Sequence, residues 1–158
     1  MYNGILSFHS VLRWIFLFLL GVNIVRSLFP TIKHYNGENL NWGRWLIITT
    51  YFNLFTSVYL YFFGKYGITL LSIQGYRYSD IFYIPYLRFW LVEHPLMMLL
   101  SMSIIGTAYK ISKSNTLIDN KYRMMSFLYI MALCIILAAI PWPFHNPEIA
   151  REVVRISY

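Results

Sequence analysis

The apolar residues of this chain are gathered into four long runs that contain few polar residues. The runs cover about residues 5–29, 45–63, 87–109 and 124–142. Each approaches the roughly 20 apolar residues that an α-helix needs to cross the hydrocarbon core of a bilayer. The pattern predicts an all-α, integral membrane four-helix bundle with a C-terminal tail over residues 143–158. Polar or helix-breaking sequence closes each run: Phe29-Pro30, Gly64-Lys65, residues 110–113 and Pro141-Trp142-Pro143.

The composition agrees with a membrane environment and a single domain. Charged residues make up only 12% of the 158 residues and hydrophobic residues 58%, whereas soluble domains carry roughly 25% charged residues. The first run lacks a preceding basic region and a following small-x-small cleavage site, so we expect it to stay in the mature protein. Cys134, the only cysteine, lies inside the fourth run and provides neither a disulfide framework nor a cysteine-based metal site.

The net charge of +7 reflects membrane topology better than nucleic-acid binding, because the basic residues are spread over the loops. Seven flank the spans on the face of loops one and three, and five lie on the opposite face. The positive-inside rule therefore predicts that both termini are outside. The first set is Arg26, Lys33, Arg44, Lys110, Lys113, Lys121 and Arg123, and the second is Lys65, Arg77, Arg88, Arg151 and Arg155.

The longest connection joins the second and third spans, over residues 64–86, and it is rich in tyrosine and phenylalanine. Aromatic residues with one polar end favour the headgroup region of a bilayer. We expect a short interfacial helix or lid in this segment.

Four ionisable residues lie near the start of the first and third spans: His9, Arg13, Glu93 and His94. Odd-numbered spans cross the bilayer in the same direction, so the two imidazoles are expected at similar depth on one face. Ionisable groups inside spans are expensive, and they usually face a bundle interior, a partner or a cofactor. The set is the one that a haem with two histidine ligands needs, because neutral imidazole binds iron and four-helix bundles hold cofactors between facing helices.

Arginine donors can pair with haem propionates. Arg88 is better placed than Arg13 for that role, because it lies nearer the surface, where propionates meet water. Arg13 would then pair with Glu93 or reach a quinone headgroup. The alternative is that the histidines bond to backbone, lipid or water and that Arg13 and Glu93 form a structural ion pair.

Other candidates are weaker. His145 follows the fourth span and could replace either histidine or relay protons, although an exposed tail histidine is more common, and His34 is expected in a loop. Met97, Met98 and Met102 could bind copper. However, Met97 and Met98 point about 100° apart on a helix, and methionine often fills gaps in apolar packing.

Two residues inside the spans should affect helix shape and the hydrogen bonds between helices. Pro95 should bend the third helix and leave the Leu91 carbonyl in need of a donor from a neighbouring helix, side chain or water. Asn53 offers hydrogen bonds that join helices, or that orient a ligand or a quinone carbonyl.

Three sequence elements resemble the small four-span membrane proteins of Bacteroidota that are labelled cytochrome B. They are His9-Ser10-x-x-Arg13, Arg88-Phe89-Trp90-x-x-Glu93-His94-Pro95-x-Met97-Met98, and Ile140-Pro141-Trp142-Pro143-Phe144. The resemblance implies histidine ligands at His9 and His94 and a location in a bacterial inner membrane. The tail beyond Phe144 departs from the family, and its residues Glu148, Arg151, Glu152 and Arg155 fit a partner-docking helix.

Together these observations predict a membrane-embedded b-type cytochrome with one haem b between His9 and His94, near the outer face. The expected role is one-electron transfer, with quinol as a candidate partner and a redox protein or other membrane subunits on that face. The second hypothesis is a haem-free accessory or assembly subunit of a larger membrane complex. No residue that makes or breaks covalent bonds stands out, so the sequence leaves enzymatic activity open.

Overall fold

The computed structural model describes residues 2–29, 41–114 and 118–142 of the chain. Within these residues every regular element is helical, and four helices are long and apolar enough to cross a membrane. The predicted all-α, four-span architecture is confirmed. The elements are α1 (Tyr2–Leu28), α2 (Asn41–Phe63), α3 (Thr69–Gln74), α4 (Asp80–Tyr83), α5 (Pro85–Arg88), a π-helical turn (Phe89–Glu93), α6 (His94–Lys113) and α7 (Ile118–Ala139).

The third span is a composite of α5, the π-helical turn and α6, and it runs continuously over Pro85–Lys113. All four spans begin before their apolar runs, because a helix that leaves the hydrocarbon core keeps satisfying its own backbone. The last ends at Ala139, just before Pro141, which cannot continue the hydrogen-bond ladder. The predictions made for Pro30, Lys33, His34 and residues 143–158, including Phe144, His145, Glu148, Arg151, Glu152 and Arg155, lie outside the described residues.

The four long helices form a ring in which α1 packs against α2 and α7, and α6 packs against the same two helices. Helices α1 and α6 therefore lie diagonally across the bundle. Small buried residues recur seven positions apart, or about two helical turns, on both α6 and α7, so these two backbones can approach closely. They are Ser101, Ala108, Ala132 and Ala139.

The outer surface of the bundle is apolar. Phe18, Phe55, Phe63 and Phe127 are each 64–76% exposed, which would be a large aggregation-prone surface in water. In a bilayer the same side chains face lipid, so the exposure agrees with four membrane-spanning helices.

Buried asparagines join α1 to α2 at two levels. The Asn53 side-chain amide donates to the Leu12 carbonyl at 3.3 Å and to the Thr49 carbonyl at 3.0 Å. Nearer the other end, Asn23 donates to the carbonyls of Leu19 and Trp42. These bonds identify the two helices as an antiparallel pair.

The connection after α2 contains two short helices rather than one. Helix α3 buries Leu70 and Leu71 against Leu87 and Leu91 of the third span, while the exposed side of the segment carries Tyr78, Phe82 and Tyr83. The turn into α3 depends on Gly67, where a Cβ atom would lie 1.9 Å from the Tyr61 carbonyl oxygen. We call this end of the bundle, where α1 and the third span begin and α2 and α7 end, the histidine end.

Candidate functional site

The third span changes its helical geometry immediately before His94. In the π-helical turn Phe89–Glu93, the backbone N–H of His94 donates to the Phe89 carbonyl, five residues earlier. Pro95 follows and has no N–H for the Leu91 carbonyl. The Tyr61 hydroxyl of α2 donates to that oxygen at 3.2 Å, which confirms that a neighbouring side chain supplies the donor.

Two backbone carbonyls at the end of α7 accept hydrogen bonds from side chains. Pro141 cannot donate to Leu137, and the Trp142 indole N–H donates to the Leu137 carbonyl at 2.8 Å instead. Helix α7 ends at Ala139, and the Ala139 carbonyl oxygen lies 2.7 Å from Nδ1 of His94. The end of α7 thus presents a backbone acceptor to a histidine on another helix.

The His94–Ala139 contact shows which nitrogen of the His94 ring carries a proton. A carbonyl oxygen can only accept, so Nδ1 carries the proton, and in the neutral ring the lone pair is on Nε2. Phe89 and Trp90 flank the imidazole with ring centroids 5.9 and 5.6 Å away. The hydrogen bond and the aromatic contacts hold the ring in one orientation.

His9 has a comparable arrangement with α2. Its Nδ1 lies 3.3 Å from the Thr56 hydroxyl oxygen. That hydroxyl is itself 2.9 Å from the Phe52 carbonyl and 3.0 Å from the Asn53 carbonyl, so its only proton is directed to the backbone. Thr56 therefore accepts from His9, and the neutral His9 ring also has its lone pair on Nε2.

Both histidines line the same cavity, as the argument from odd-numbered spans predicts. A cavity of about 270 Å³ lies at the histidine end, with Arg13, Asn53, Met98 and Met102 also in its wall. A second cavity of about 500 Å³ adjoins it, and His9, His94, Met98 and Met102 belong to both walls. Because α1 and α6 are diagonal, the two imidazoles approach the cavity from opposite helices.

The arginines are placed differently from the sequence-based expectation. Arg88 Nε and Glu93 Oε1 form an ion pair at 2.7 Å across the π-helical turn, with both side chains more than one third exposed. Neither residue lines either cavity. Arg13 lines the smaller cavity, and its guanidinium lies 5.4 Å from the Trp14 ring centroid. The geometry thus favours Arg13 over Arg88 for a carboxylate inside the site, and it pairs Glu93 with Arg88.

The remaining sequence candidates divide between site and scaffold. Asn53 lines the cavity, but its amide group joins α1 and α2. Met98 and Met102 lie one and two helical turns beyond His94 and face the cavities, whereas Met97 lines neither. Sequence reasoning missed Thr56 and Ala139 as partners of the histidines. A proline four residues after Ala139 was the available signal for the second.

The donor set limits the metal chemistry of the site. Within the described ranges, no group of three or more His, Cys, Asp or Glu residues is arranged to hold a metal ion. Two imidazoles alone do not complete a tetrahedral zinc site. In number they equal the two axial positions that a tetrapyrrole leaves to the protein.

No protein-family model matches the chain, and neither the search of curated proteins nor that of solved structures finds a match. The resemblance drawn from the sequence motifs stays a prediction.

Proposed function

We propose that this chain binds one b-type haem between His9 and His94 and carries single electrons at one face of a membrane. The supporting observation is the paired orientation of the two imidazoles. Each directs Nδ1–H to an oxygen on another helix, Thr56 for His9 and Ala139 for His94. Metal-binding histidines typically donate their second ring nitrogen in this way, which fixes the tautomer and makes the ligand more basic.

The residues around the cavity fit the rest of such a group. His9 and His94 would be the axial ligands, and Arg13 would bind a propionate through a charge-assisted hydrogen bond. Leu6 and Ile136 contribute apolar wall that excludes water. A bound haem would supply a reversible one-electron redox centre. The chain's own residues would hold the imidazoles neutral and oriented.

The proposal places the histidine end outside, in agreement with the positive-charge bias. The motif resemblance implies a bacterial inner membrane as the host, and we include that location in the proposal. The site lies near one end of the bundle, so electrons would be exchanged on that side only. A redox protein or another membrane subunit would bind there.

A haem-free accessory or assembly subunit is the second candidate, and one observation favours it. The His9–Thr56 contact joins α1 to α2, and the His94–Ala139 contact joins the third span to α7. Both histidines therefore also link helices, a role that needs no cofactor. The two candidates predict different results when the histidines are replaced. The cytochrome would lose its haem spectrum, whereas the accessory subunit would assemble differently with its partners.

The decisive experiment is a reduced-minus-oxidised visible spectrum of the purified chain, with a pyridine haemochrome assay for stoichiometry. We expect a b-type α-band with about one haem per chain, absent in His9→Ala and in His94→Ala. His34→Ala is the control for loss of an imidazole, and His145→Ala tests the substitute ligand considered above. Protein purified with its native partners that shows no haem band would refute the proposal and support the accessory subunit.

A further inference from the structure

The larger cavity at the histidine end is a long apolar chamber bounded by α1, α2 and the third span. Its wall runs from Tyr2 and Tyr66 at the end of the bundle down to Met102. His94 and Met102 are eight residues apart on α6, which corresponds to about 12 Å along the helix axis. Among the described residues that form this wall, none is Lys, Arg, Asp or Glu.

The chamber opens sideways between α2 and α6. Four residues of its wall are also 47–60% exposed on the outer surface of the bundle, so their side chains border both the chamber and the lipid. A ligand dissolved in the bilayer can therefore enter without crossing water. The four are Val58, Phe62, Leu96 and Leu99.

The part of the wall that the two cavities share carries serine and histidine side chains. Ser57 of α2 lines both cavities with His9 and His94. The adjacent Thr56 hydroxyl bonds to its own helix, whereas within the described structure the Ser57 hydroxyl forms no hydrogen bond. A few converging polar groups in an apolar cavity orient a ligand. Here they would orient a molecule whose polar end lies beside the histidines.

We propose that this chamber binds a membrane quinone or quinol, with its ring beside Ser57 and its isoprenoid tail leaving between α2 and α6. The Ser57 hydroxyl donates to a ring oxygen. Trp90 and Tyr66, whose centroids are 5.1 Å apart, supply aromatic wall for a flat ring. An uncharged headgroup fits a wall without charged side chains, whereas the phosphate of a phospholipid would find no cation among the residues of that wall.

Binding of the quinone does not depend on haem. A role for the bound quinone in electron transfer rests on the proposed function. If a haem is held by His9 and His94, the quinone ring would lie against the shared wall of the two cavities. The chamber would then be the place where a lipid-soluble electron carrier meets the redox centre.

The test is a scintillation proximity titration of the full-length chain with tritiated decylubiquinone in phosphatidylcholine nanodiscs. Val58→Trp fills the mouth of the chamber and should weaken binding at least tenfold. Phe55→Trp is the matched control, because Phe55 is 76% exposed on the same helix and lines neither cavity. Ser57→Ala removes one hydrogen bond and should weaken binding about three- to tenfold.

Ser103→Ala is the control for a lost hydroxyl outside the chamber and should bind as the unmodified chain does. Saturable binding supports a specific quinone site, because the nanodisc already supplies phosphatidylcholine in large excess. Binding that does not saturate, or that Val58→Trp leaves unchanged, would overturn the proposal. Haem is assayed in the same samples: binding without haem refutes the proposed function alone, and haem without binding refutes this inference alone.

Discussion

The hydrogen bond from Tyr61 to the Leu91 carbonyl makes a sharp quantitative prediction. If Tyr61 supplies the donor that Pro95 cannot, then Tyr61→Phe should lower the free energy of unfolding by about 1–2 kcal/mol. This range combines the cost of losing a buried hydrogen bond with the smaller values measured inside membranes. The phenyl ring keeps the packing, so the loss should come from the hydroxyl.

The cause can be isolated with a double-mutant cycle. In a Pro95→Ala background the backbone N–H of residue 95 returns and can donate to the Leu91 carbonyl. Tyr61→Phe should then cost about 0.5 kcal/mol or less, which gives a coupling energy of about 1 kcal/mol between the two positions. Unfolding in mixed micelles with increasing SDS, followed by circular dichroism, measures all four chains.

The control for this cycle is Tyr51→Phe, because Tyr51 is 66% exposed on the same helix. It should change the free energy of unfolding by less than 0.5 kcal/mol, as typical surface substitutions do. Equal costs of Tyr61→Phe in the two backgrounds would show that the hydroxyl acts through packing, and would refute the assigned role.

Three further substitutions test other parts of the structure. Gly67→Ala should destabilise the turn after α2 by about 2 kcal/mol or more, because the new Cβ would lie 1.9 Å from the Tyr61 carbonyl oxygen; an unchanged unfolding midpoint in SDS would contradict this contact. Thr56→Val keeps the side-chain shape but removes the acceptor for His9, so haem affinity in a titration should fall about 10- to 100-fold, with Thr107→Val as the control on an exposed helix face. Glu93→Gln breaks an exposed ion pair and should cost at most about 1 kcal/mol; a larger loss that persists at high salt would mean that the pair supports the π-helical turn.

The sequence was sufficient for the architecture because length and apolarity decide whether a helix spans a bilayer. The sequence also predicted that His9 and His94 lie at similar depth on one face, because odd-numbered spans run in the same direction. In the structure both line one cavity. The requirement that the Leu91 carbonyl find a donor followed from Pro95 alone. These inferences depend on topology and covalent chemistry. They can be made without knowing how each helix is rotated about its own axis.

Side-chain pairing in the site could not be predicted, because it depends on that rotation. Arg88 and Glu93 are five residues apart and point in different directions on an α-helix, but the π-helical turn brings them together. The sequence analysis instead assigned Arg88 to a propionate, because it lies nearer the surface, and left Arg13 to pair with Glu93 or to reach a quinone headgroup. Thr56 and Ala139 escaped notice for the same reason: their contacts with the histidines are set by packing between helices.

The contact between His94 and Ala139 spans 45 residues of sequence, and it has a consequence for biogenesis. The ribosome makes His94 long before the end of the fourth helix, so the nascent third span enters the membrane before its Ala139 acceptor exists. The orientation of His94 seen here is completed only when the last helix is inserted to its final turn. If His94 binds the proposed haem, loading would therefore follow complete insertion, and the finished site would mark chains that have reached their full topology.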